Sequence, residues 1–270
     1  MITYVTALFD IDRENKGDGR SIEMYLDWMR ETCKMNVCMV IFTQPNLLQR
    51  IRKLRAGQEQ KTIIYPQNLA EIPYAHYRQR TIEIIHSSDY QSKIKAPERV
   101  ECKLPDYSLV IHSKFEWLKR VAEENPFKTP CFAWCDAGLS RFFPNHFDLY
   151  RPLDTQKVFD LVHGDRCLIQ TRPDIHRLKT FKNLGYDTIN FLTATLFFGG
   201  EKVIQQLATS VRQVFLHKLL ARNIVNNEQI SLAFVARKSP AWFSALPNHT
   251  GEHLSLLRAL QPDSGDISKI

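Results

Sequence analysis

The sequence predicts an α/β protein whose doubly wound central sheet is mostly parallel and flanked by helices. Short apolar runs alternate with amphipathic helical stretches over roughly the first 140 residues, the order expected of βαβ units. The run at residues 37–43 is apolar throughout, which is typical of a parallel strand covered on both faces. A further apolar run, residues 129–135, stops abruptly at Asp136 and is predicted to be a buried strand.

The first five elements follow one another as strand, helix, strand, helix and strand. Residues 4–9 form the first predicted strand, and Ser21 is a suitable N-cap for the helix that follows. Strands at residues 37–43 and 62–65 enclose a second helix. This order is typical of the start of a doubly wound sheet. Helical spacing predicts the two helices through Ile22, Tyr25, Leu26, Met29 and Cys33, and through Leu47, Leu48, Ile51 and Leu54.

The later elements are less regular. Residues 66–105 have no predicted role beyond a helix near residues 77–85. Asp106 is predicted to cap a long helix that ends at Asn125-Pro126. The whole chain, residues 1–270, is predicted to form a single domain. Further strands are expected at residues 167–170 and 191–198, and further helices after Gly199-Gly200 and from residues 226–229 onward.

The chain is basic, and this charge favours an anionic or phosphate-bearing partner. Its 270 residues include 36 Lys and Arg against 29 Asp and Glu, giving a net charge of +7 and a pI near 9.1. The basic residues are scattered and form no recognisable nucleic-acid module, so we do not expect nucleic acid as the partner. One helix face is a candidate contact for anionic lipid, although a run of charges is more often a solvated face. That face carries Arg50, Arg52, Lys53 and Arg55.

Cysteine usage and the first residues indicate a cytoplasmic protein. None of the six cysteines forms a C-x-x-C pair and most lie in apolar runs, so a zinc site is not expected. No basic leader precedes the first strand, so a signal peptide is not expected. No apolar segment reaches the ~20 residues that cross a bilayer. Peripheral attachment at the inner face of the membrane stays open, and the oligomeric state is unknown.

Asp136 is the central candidate site residue. Carboxylates avoid dry interiors unless they are paired or bind metal, so Asp136 is expected where its strand opens into a cleft. Open α/β sheets bind ligands at that edge. Ala137 and Gly138 leave space for a phosphate ligand or a cation, and Gly138 is free to adopt unusual backbone angles. The alternative is an aspartate that only begins a turn.

A second group of candidates follows the first strand. Asp10, Asp12 and Arg13 occupy the position where nucleotide-binding sheets hold a base, ribose or phosphate. The same residues also suit an ordinary polar loop. Neither G-x-G-x-x-G nor G-x-x-x-x-G-K-[ST] occurs in the chain, so those two phosphate-binding loops are excluded.

Two more candidates lie near the end of the chain. Glu228 is placed as a general base or as an acceptor for a sugar hydroxyl, although Glu is also common in the first turn of any helix. His249 and His253 are four residues apart, so on a helix they share a face. His253 is the candidate metal ligand of this pair, and an exposed pair without a metal is the alternative.

Three stretches together resemble the HtrL/YibB family, also described as WlaTC-like glycosyltransferases. The first is Val5-Thr6-Ala7-Leu8-Phe9-Asp10-Ile11-Asp12-Arg13, and the third is Asn227-Glu228-Gln229. The second is the most specific. It runs from His112-Ser113-Lys114-Phe115-Glu116-Trp117-Leu118-Lys119-Arg120 through Asn125-Pro126-Phe127 to Trp134-Cys135-Asp136-Ala137-Gly138.

The resemblance implies a GT-A-like, Rossmann-like glycosyltransferase that moves a sugar from a nucleotide-diphosphate sugar to a glycan or glycolipid acceptor. Bacterial surface polysaccharide or lipopolysaccharide synthesis is the implied setting. Residues 1–140 are then the nucleotide-sugar-binding half and residues 141–270 the acceptor-side half.

The resemblance also implies roles for single residues. Asp136 would hold Mn²⁺ or Mg²⁺ on the donor diphosphate, a role that suits a hard oxygen ligand. Glu228 would be the base for the acceptor hydroxyl. The chain departs from the pattern at two positions: Trp134 stands where GT-A enzymes have a first aspartate, and Asp12 where family members have glycine. The residues implied to contact the nucleotide sugar are Asp10, Asp12, Arg13, Asp136, Ala137 and Gly138.

Three other classes of protein stay open. A sugar-nucleotide nucleotidyltransferase needs a glycine-rich loop with lysine after the first strand, and residues 10–13 do not supply one. A basic nucleic-acid-binding protein fits the pI but lacks a recognisable module. A catalytically inactive sugar-nucleotide-binding protein would carry the same motifs as the enzyme.

Overall fold

The computed structural model describes residues 1–143, 145–163, 165–247 and 255–262. Within these ranges the strands form a seven-stranded sheet in the order β3-β2-β1-β4-β6-β5-β7. The strands are β1 (Ile2–Leu8), β2 (Cys38–Thr43), β3 (Thr62–Pro66), β4 (Cys131–Cys135), β5 (Cys167–Thr171), β6 (Leu192–Gly199) and β7 (Phe243–Pro247).

The sheet is mixed but mostly parallel, which confirms the predicted α/β class. β1 pairs in parallel with β2 and β4, β2 with β3, and β5 with β7. Of the described strands, β6 runs antiparallel to its two neighbours, β4 and β5. The carboxyl ends of β1 and β4 therefore meet at one edge of the sheet, and the loops after them carry Asp10 and Asp136.

Helices cover both faces of the sheet. The longer ones are α1 (Ile22–Cys33), α2 (Leu48–Leu54), α3 (Arg78–Ile85), α4 (Pro105–Glu124), α5 (Thr155–Val162), α6 (Glu201–Gln213) and α7 (Glu228–Lys238). Short helices lie at Arg13–Lys16, Ser88–Lys93, Val100–Lys103, Phe147–Tyr150 and Ser255–Ala259, and α6 continues as a π-helix, Val214–Leu219.

Strand alternation divides the core into two layers. In β2, Val40 and Phe42 belong to one buried cluster, whereas Met39 and Ile41 belong to the other. Buried residues of α4 and α6 complete the first cluster, and those of α1 and α2 complete the second. The sheet is thus covered on both faces, as the unbroken apolar run of β2 predicted. The predicted N-cap of α1 is also present, because the Ser21 hydroxyl accepts from the Met24 amide at 3.2 Å.

One local prediction is wrong. Leu104, followed by a proline, is the N-cap of α4, so Asp106 lies inside the first turn and pairs with Arg78 at 2.7 Å. The helix expected after Gly199-Gly200 is present and begins at Glu201. Because β6 is antiparallel, Gly199 pairs with Phe132 near the start of β4, at the sheet edge opposite Asp136.

The predicted basic face of α2 is smaller than the sequence suggested. Arg55 is 1% exposed, and its guanidinium donates to the carbonyl oxygens of Cys33, Met35 and Val37 at 2.7, 2.9 and 2.9 Å. Arg55 therefore ties the end of α1 to the helix after β2 and contributes nothing to a lipid contact.

None of the described helices is both long enough and apolar enough to cross a membrane.

His112 is a buried neutral histidine in the middle of α4. Its Nδ1 lies 2.8 Å from the Ser108 carbonyl oxygen and its Nε2 lies 2.9 Å from the Ser231 hydroxyl. Because a carbonyl only accepts, Nδ1 carries the proton and Nε2 accepts from Ser231. Burial lowers the pKa of His112 to about 3, so the ring stays neutral in the folded protein down to acid pH.

We expect acid to destabilise the protein through His112. The unfolded chain takes up this proton near pH 6.5 and the folded chain only near pH 3, so the free energy of unfolding falls as the pH drops below 6.5. The loss approaches about 1.4 kcal/mol per pH unit. Urea unfolding near pH 7 and pH 5 measures it in the wild type and in His112→Gln, which has no titrating ring. Equal losses in the two proteins would contradict the assignment.

Candidate functional site

A cleft opens at the sheet edge where β1 and β4 end. Five residues proposed from the sequence line it, namely Asp10, Arg13, Asp136, Ala137 and Gly138. They come together because β1 and β4 are parallel neighbours, so the loops after the two strands lie side by side. Residues of α1 and α4 complete the lining. We call this cleft the first cavity.

Asp136, Lys114 and Glu228 form a chain of charges in the wall of the first cavity. The Lys114 Nζ lies 3.2 Å from Asp136 Oδ1 and 2.7 Å from Glu228 Oε1. It also donates to the Ala194 carbonyl oxygen at 3.3 Å, so each ammonium hydrogen has a partner. Trp134 Nε1 donates to the same Asp136 oxygen at 2.6 Å. Oδ1 is therefore occupied twice, whereas Oδ2 has no partner among the described side chains.

Burial determines the protonation of this cluster. The exposed fraction of the side chain is 3% for Lys114 and 7% for Glu228, against 31% for Asp136. Burial alone lowers the pKa of the Lys114 ammonium, but Asp136 and Glu228 outweigh burial and hold that pKa above its ordinary value. Burial raises the pKa of the Glu228 carboxyl, and Lys114 offsets only part of that effect. Lys114 is thus a fixed positive charge at the cavity wall.

Lys114 is one of the site residues that the sequence analysis did not single out; Arg141 is another. Lys114 belongs to the most specific stretch of the resemblance, and its position in the sequence already indicated that it is buried. Lys114 lies three residues after Ile111 and four before Leu118, so it occupies the apolar stripe of α4. A lysine in such a stripe is buried only when acidic groups elsewhere in the fold meet it.

Arg13 is a rigid part of the wall. Its Nε and Nη2 contact the two carboxylate oxygens of Asp18 at 3.0 and 2.5 Å, and its Nη1 donates to the Tyr25 hydroxyl at 2.5 Å. The guanidinium carbon also lies 4.9 Å from the centre of the Tyr107 ring. Because Asp18 is paired with it, Arg13 adds shape and hydrogen-bond geometry more than net charge.

Arg141 places a less neutralised charge beside Gly138. A Cβ atom at Gly138 would lie only 3.2 Å from the Arg141 Nη1 and 3.3 Å from the Trp28 ring. Gly138 has φ −87°, which any residue adopts, so its small size and not an unusual backbone angle matters here. Within the described ranges, no carboxylate lies within 4.0 Å of Arg141.

Another part of the lining is apolar. Phe9, which lines the cavity, stacks on Trp117 with ring centres 5.3 Å apart and planes 1° apart. A cavity that joins an apolar wall to cationic groups suits a ligand with a flat ring at one end and phosphates at the other. The apolar lining includes Phe9, Ile11, Ile22, Val110 and Ile111.

Two residues proposed from the sequence lie elsewhere, and a third is not described. The Asp12 carboxylate turns to Lys16 at 2.9 Å and does not line the first cavity; its φ of 60° is a conformation that favours glycine. Glu228 lies behind Lys114 and lines no described cavity, because its carboxylate pairs with the buried ammonium, so direct contact with an acceptor hydroxyl is not seen. His253, like His249, lies outside the described residues.

The described residues do not form a metal cage. They include no group of three His, Cys, Asp or Glu side chains placed to hold an ion. A hard cation needs about six oxygen ligands, and Asp136 has one uncommitted oxygen with the Lys114 ammonium beside the other. The predicted Mn²⁺ or Mg²⁺ at Asp136 therefore stays a prediction, and the steps proposed below use the side chains of this chain alone.

The fold and the cleft define an α/β protein with a cavity, lined by several cationic side chains, at the carboxyl ends of parallel strands. The chain belongs to the HtrL_YibB family, described as "Bacterial protein of unknown function", whose model matches residues 1–261. The predicted resemblance is thereby confirmed. Protein HtrL of Escherichia coli (strain K12) is 27% identical over 146 residues, 50% of this chain and 50% of the relative. The match thus spans about half the length of that relative.

Two solved structures are similar to this chain at low sequence identity. Mouse xyloside xylosyltransferase 1, in its apo form, has a TM-score of 0.46 at 9% identity, covering 90% of this chain and 84% of that one. The 4-diphosphocytidyl-2C-methyl-D-erythritol synthase of Anaerococcus prevotii DSM 20548 has a TM-score of 0.42 at 9% identity, covering 93% and 90%. Both TM-scores are below 0.5, so neither likeness supports a statement about activity.

Proposed function

We propose that this protein is a GT-A-like glycosyltransferase that moves a sugar from a nucleotide-diphosphate sugar to a glycan or glycolipid acceptor. The observation that carries the proposal is the make-up of the first cavity. At one sheet edge an apolar wall that includes Phe9 adjoins the charges of Lys114 and Arg141. A nucleoside diphosphate has a flat base and a polyanionic tail, so it complements both parts.

In this proposal the cationic side chains stabilise the leaving diphosphate. Lys114 is held by its carboxylate partners, and the Arg141 guanidinium lies over the Trp28 and Phe142 rings. Charges placed before the reaction stabilise developing negative charge most effectively. Asp136 positions the donor through Oδ2. Glu228 acts through Lys114, which it holds at the cavity wall, so we assign it a positioning role instead of the predicted role of base. Asp10, Arg13, Ala137 and Gly138 complete the donor contacts.

The setting of the reaction is also part of the proposal. Surface polysaccharide or lipopolysaccharide synthesis in a bacterium would place the enzyme in the cytoplasm, with peripheral contact at the inner face of the membrane. The net charge of +7 suits an anionic surface. Residues 1–140 supply most of the donor side, and residues 141–270 the acceptor side.

The test is a screen of nucleotide sugars with and without Mn²⁺, measured as release of the nucleoside diphosphate. We expect one donor to be bound and slowly hydrolysed without an acceptor. Arg141→Gln should weaken binding of that donor about tenfold, because it removes one charged contact to the phosphates.

Arg52→Gln is the matched control, since Arg52 is exposed on α2 and lines no described cavity. It should bind the donor as the wild type does. If no nucleotide sugar binds at all, the proposal is wrong. Donor binding without hydrolysis, and without transfer to any glycan, would instead favour a catalytically inactive sugar-nucleotide-binding protein.

A further inference from the structure

A second cavity adjoins the first. The two share Arg13, Arg20, Tyr107 and Arg141 in their linings. From these residues the second cavity extends past the carboxyl end of β5 and the first residues of β6 to the start of α7. It also comes close to Asp136, whose backbone amide donates at 2.9 Å to the carbonyl oxygen of Thr195, a residue of its lining.

The charges of the second cavity are unbalanced. Its lining holds five arginines against three acidic residues. Asp18 pairs with Arg13 and Arg20, and Glu101 pairs with Arg99 at 2.7 Å. Two arginines remain, Arg141 and Arg172, and neither has a carboxylate within 4.0 Å among the described residues. The charged residues of the lining are Arg13, Arg20, Arg99, Arg141, Arg172, Asp18, Glu98 and Glu101.

Arg172 is partly buried and has no counter-charge in the described part of the chain. It follows β5 directly, and its backbone amide donates to the Phe191 carbonyl oxygen at 2.9 Å, so its position is fixed by the sheet. Burial lowers the pKa of Arg172, and among the described residues no acidic neighbour offsets this effect. A guanidinium stays charged nevertheless, and a partly buried charge is costly unless something pairs with it. An anionic ligand would supply that pair.

The floor of the second cavity carries an unpartnered hydroxyl. Thr193 is 3% exposed, and its Oγ1 has no hydrogen-bond partner in the part of the chain that the structure describes. Buried polar groups are normally hydrogen-bonded, so an unpartnered hydroxyl beside this lining is unusual. Thr195, Asn190 and Gln229 add uncharged polar groups to the same lining. Hydroxyl and amide groups are the partners that sugar hydroxyls need.

We propose that the second cavity binds the acceptor, and that the acceptor is an anionic sugar whose phosphate or carboxylate group pairs with Arg172. The uncharged groups around Thr193 bind the hydroxyls of the same sugar. This inference rests on the proposed function, because that function defines which bound sugar is the acceptor. It adds the class of acceptor, which the first cavity does not specify.

Binding of small sugars tests the inference. The probes are glucose, galactose and mannose, their 6-phosphates and uronates, and inorganic phosphate, with Kd values measured by ligand-observed NMR. We expect at least one charged sugar to bind the wild type more tightly than its neutral counterpart. Arg172→Gln should weaken that binding tenfold or more and leave the neutral sugar unchanged. Arg172→Lys should recover part of it, and the Arg52→Gln control should match the wild type.

Several outcomes would overturn the inference. One is that charged sugars bind no better than neutral ones. Another is that their binding is insensitive to Arg172→Gln in a variant that melts like the wild type. Binding of inorganic phosphate with no gain from an attached sugar would indicate a free-anion site. Donor binding is measured separately, because Arg172 lines the second cavity and does not line the first. If no nucleotide sugar binds but a charged sugar still binds in an Arg172-dependent way, the proposed function is refuted and the second cavity is an anionic-sugar site.

Discussion

Replacing Asp136 by Asn is expected to lower donor turnover about a hundredfold, or ~3 kcal/mol in the transition state. Trp134 and Lys114 both donate to Asp136 Oδ1, so an asparagine would keep its single oxygen on that side. Its amide would then present a donor to the cavity where the carboxylate presents an acceptor. The shape is retained, but the group that positions the donor is lost.

The melting temperature should change little in Asp136→Asn. Lys114 keeps its contact with Glu228 at 2.7 Å, and Asp136 faces the cleft with 31% of its side chain exposed. Turnover and melting are measured for both proteins across a Mn²⁺ titration. An active variant with unchanged metal dependence would remove Asp136 from the mechanism and leave it as a turn residue, since asparagine suits the same turn.

Replacing Lys114 by Met is expected to reduce the free energy of unfolding by ~3–5 kcal/mol at neutral pH. The change removes one partner of a buried pair and leaves the Glu228 carboxylate without compensation, 7% exposed. Burial already raises the pKa of Glu228, and loss of the ammonium raises it further. When the pKa of a carboxyl is raised in the folded state, the free energy of unfolding falls as the pH rises towards that pKa. The stability difference between Lys114→Met and the wild type should therefore shrink on acidification.

The double variant Lys114→Met/Glu228→Gln is the matched control for this prediction. It removes both charges, so it should recover much of the lost stability in urea unfolding. Donor turnover should not recover, because the fixed positive charge beside the leaving diphosphate is still absent. A double variant as unstable as the single one would show that packing, and not the unpaired carboxylate, causes the loss.

The sequence by itself determined the α/β class and most element positions. Strand and helix periods are local properties, and the buried run of β2 needs no distant partner to be recognised. The grouping of Asp10 and Asp136 also followed from sequence, because parallel strands present their carboxyl ends at one edge. Asp10 and Asp136 do line one cavity, as this reasoning predicts. Their roles in ligand binding stay predictions.

Only the tertiary structure decided the direction of β6 and the partners of Lys114. Strand direction depends on how a connection crosses the molecule, and the apolar pattern of β6 is the same in either direction. Lys114 contacts Asp136, which is 22 positions further along the chain, and Glu228, which is 114 positions further. No local sequence pattern encodes such contacts. The burial of Arg55 was also decided by the tertiary structure, because the basic sequence around it resembles a solvated helix face. Burial of a charge is a property of the assembled core, since its cost is offset only by groups that folding brings to it.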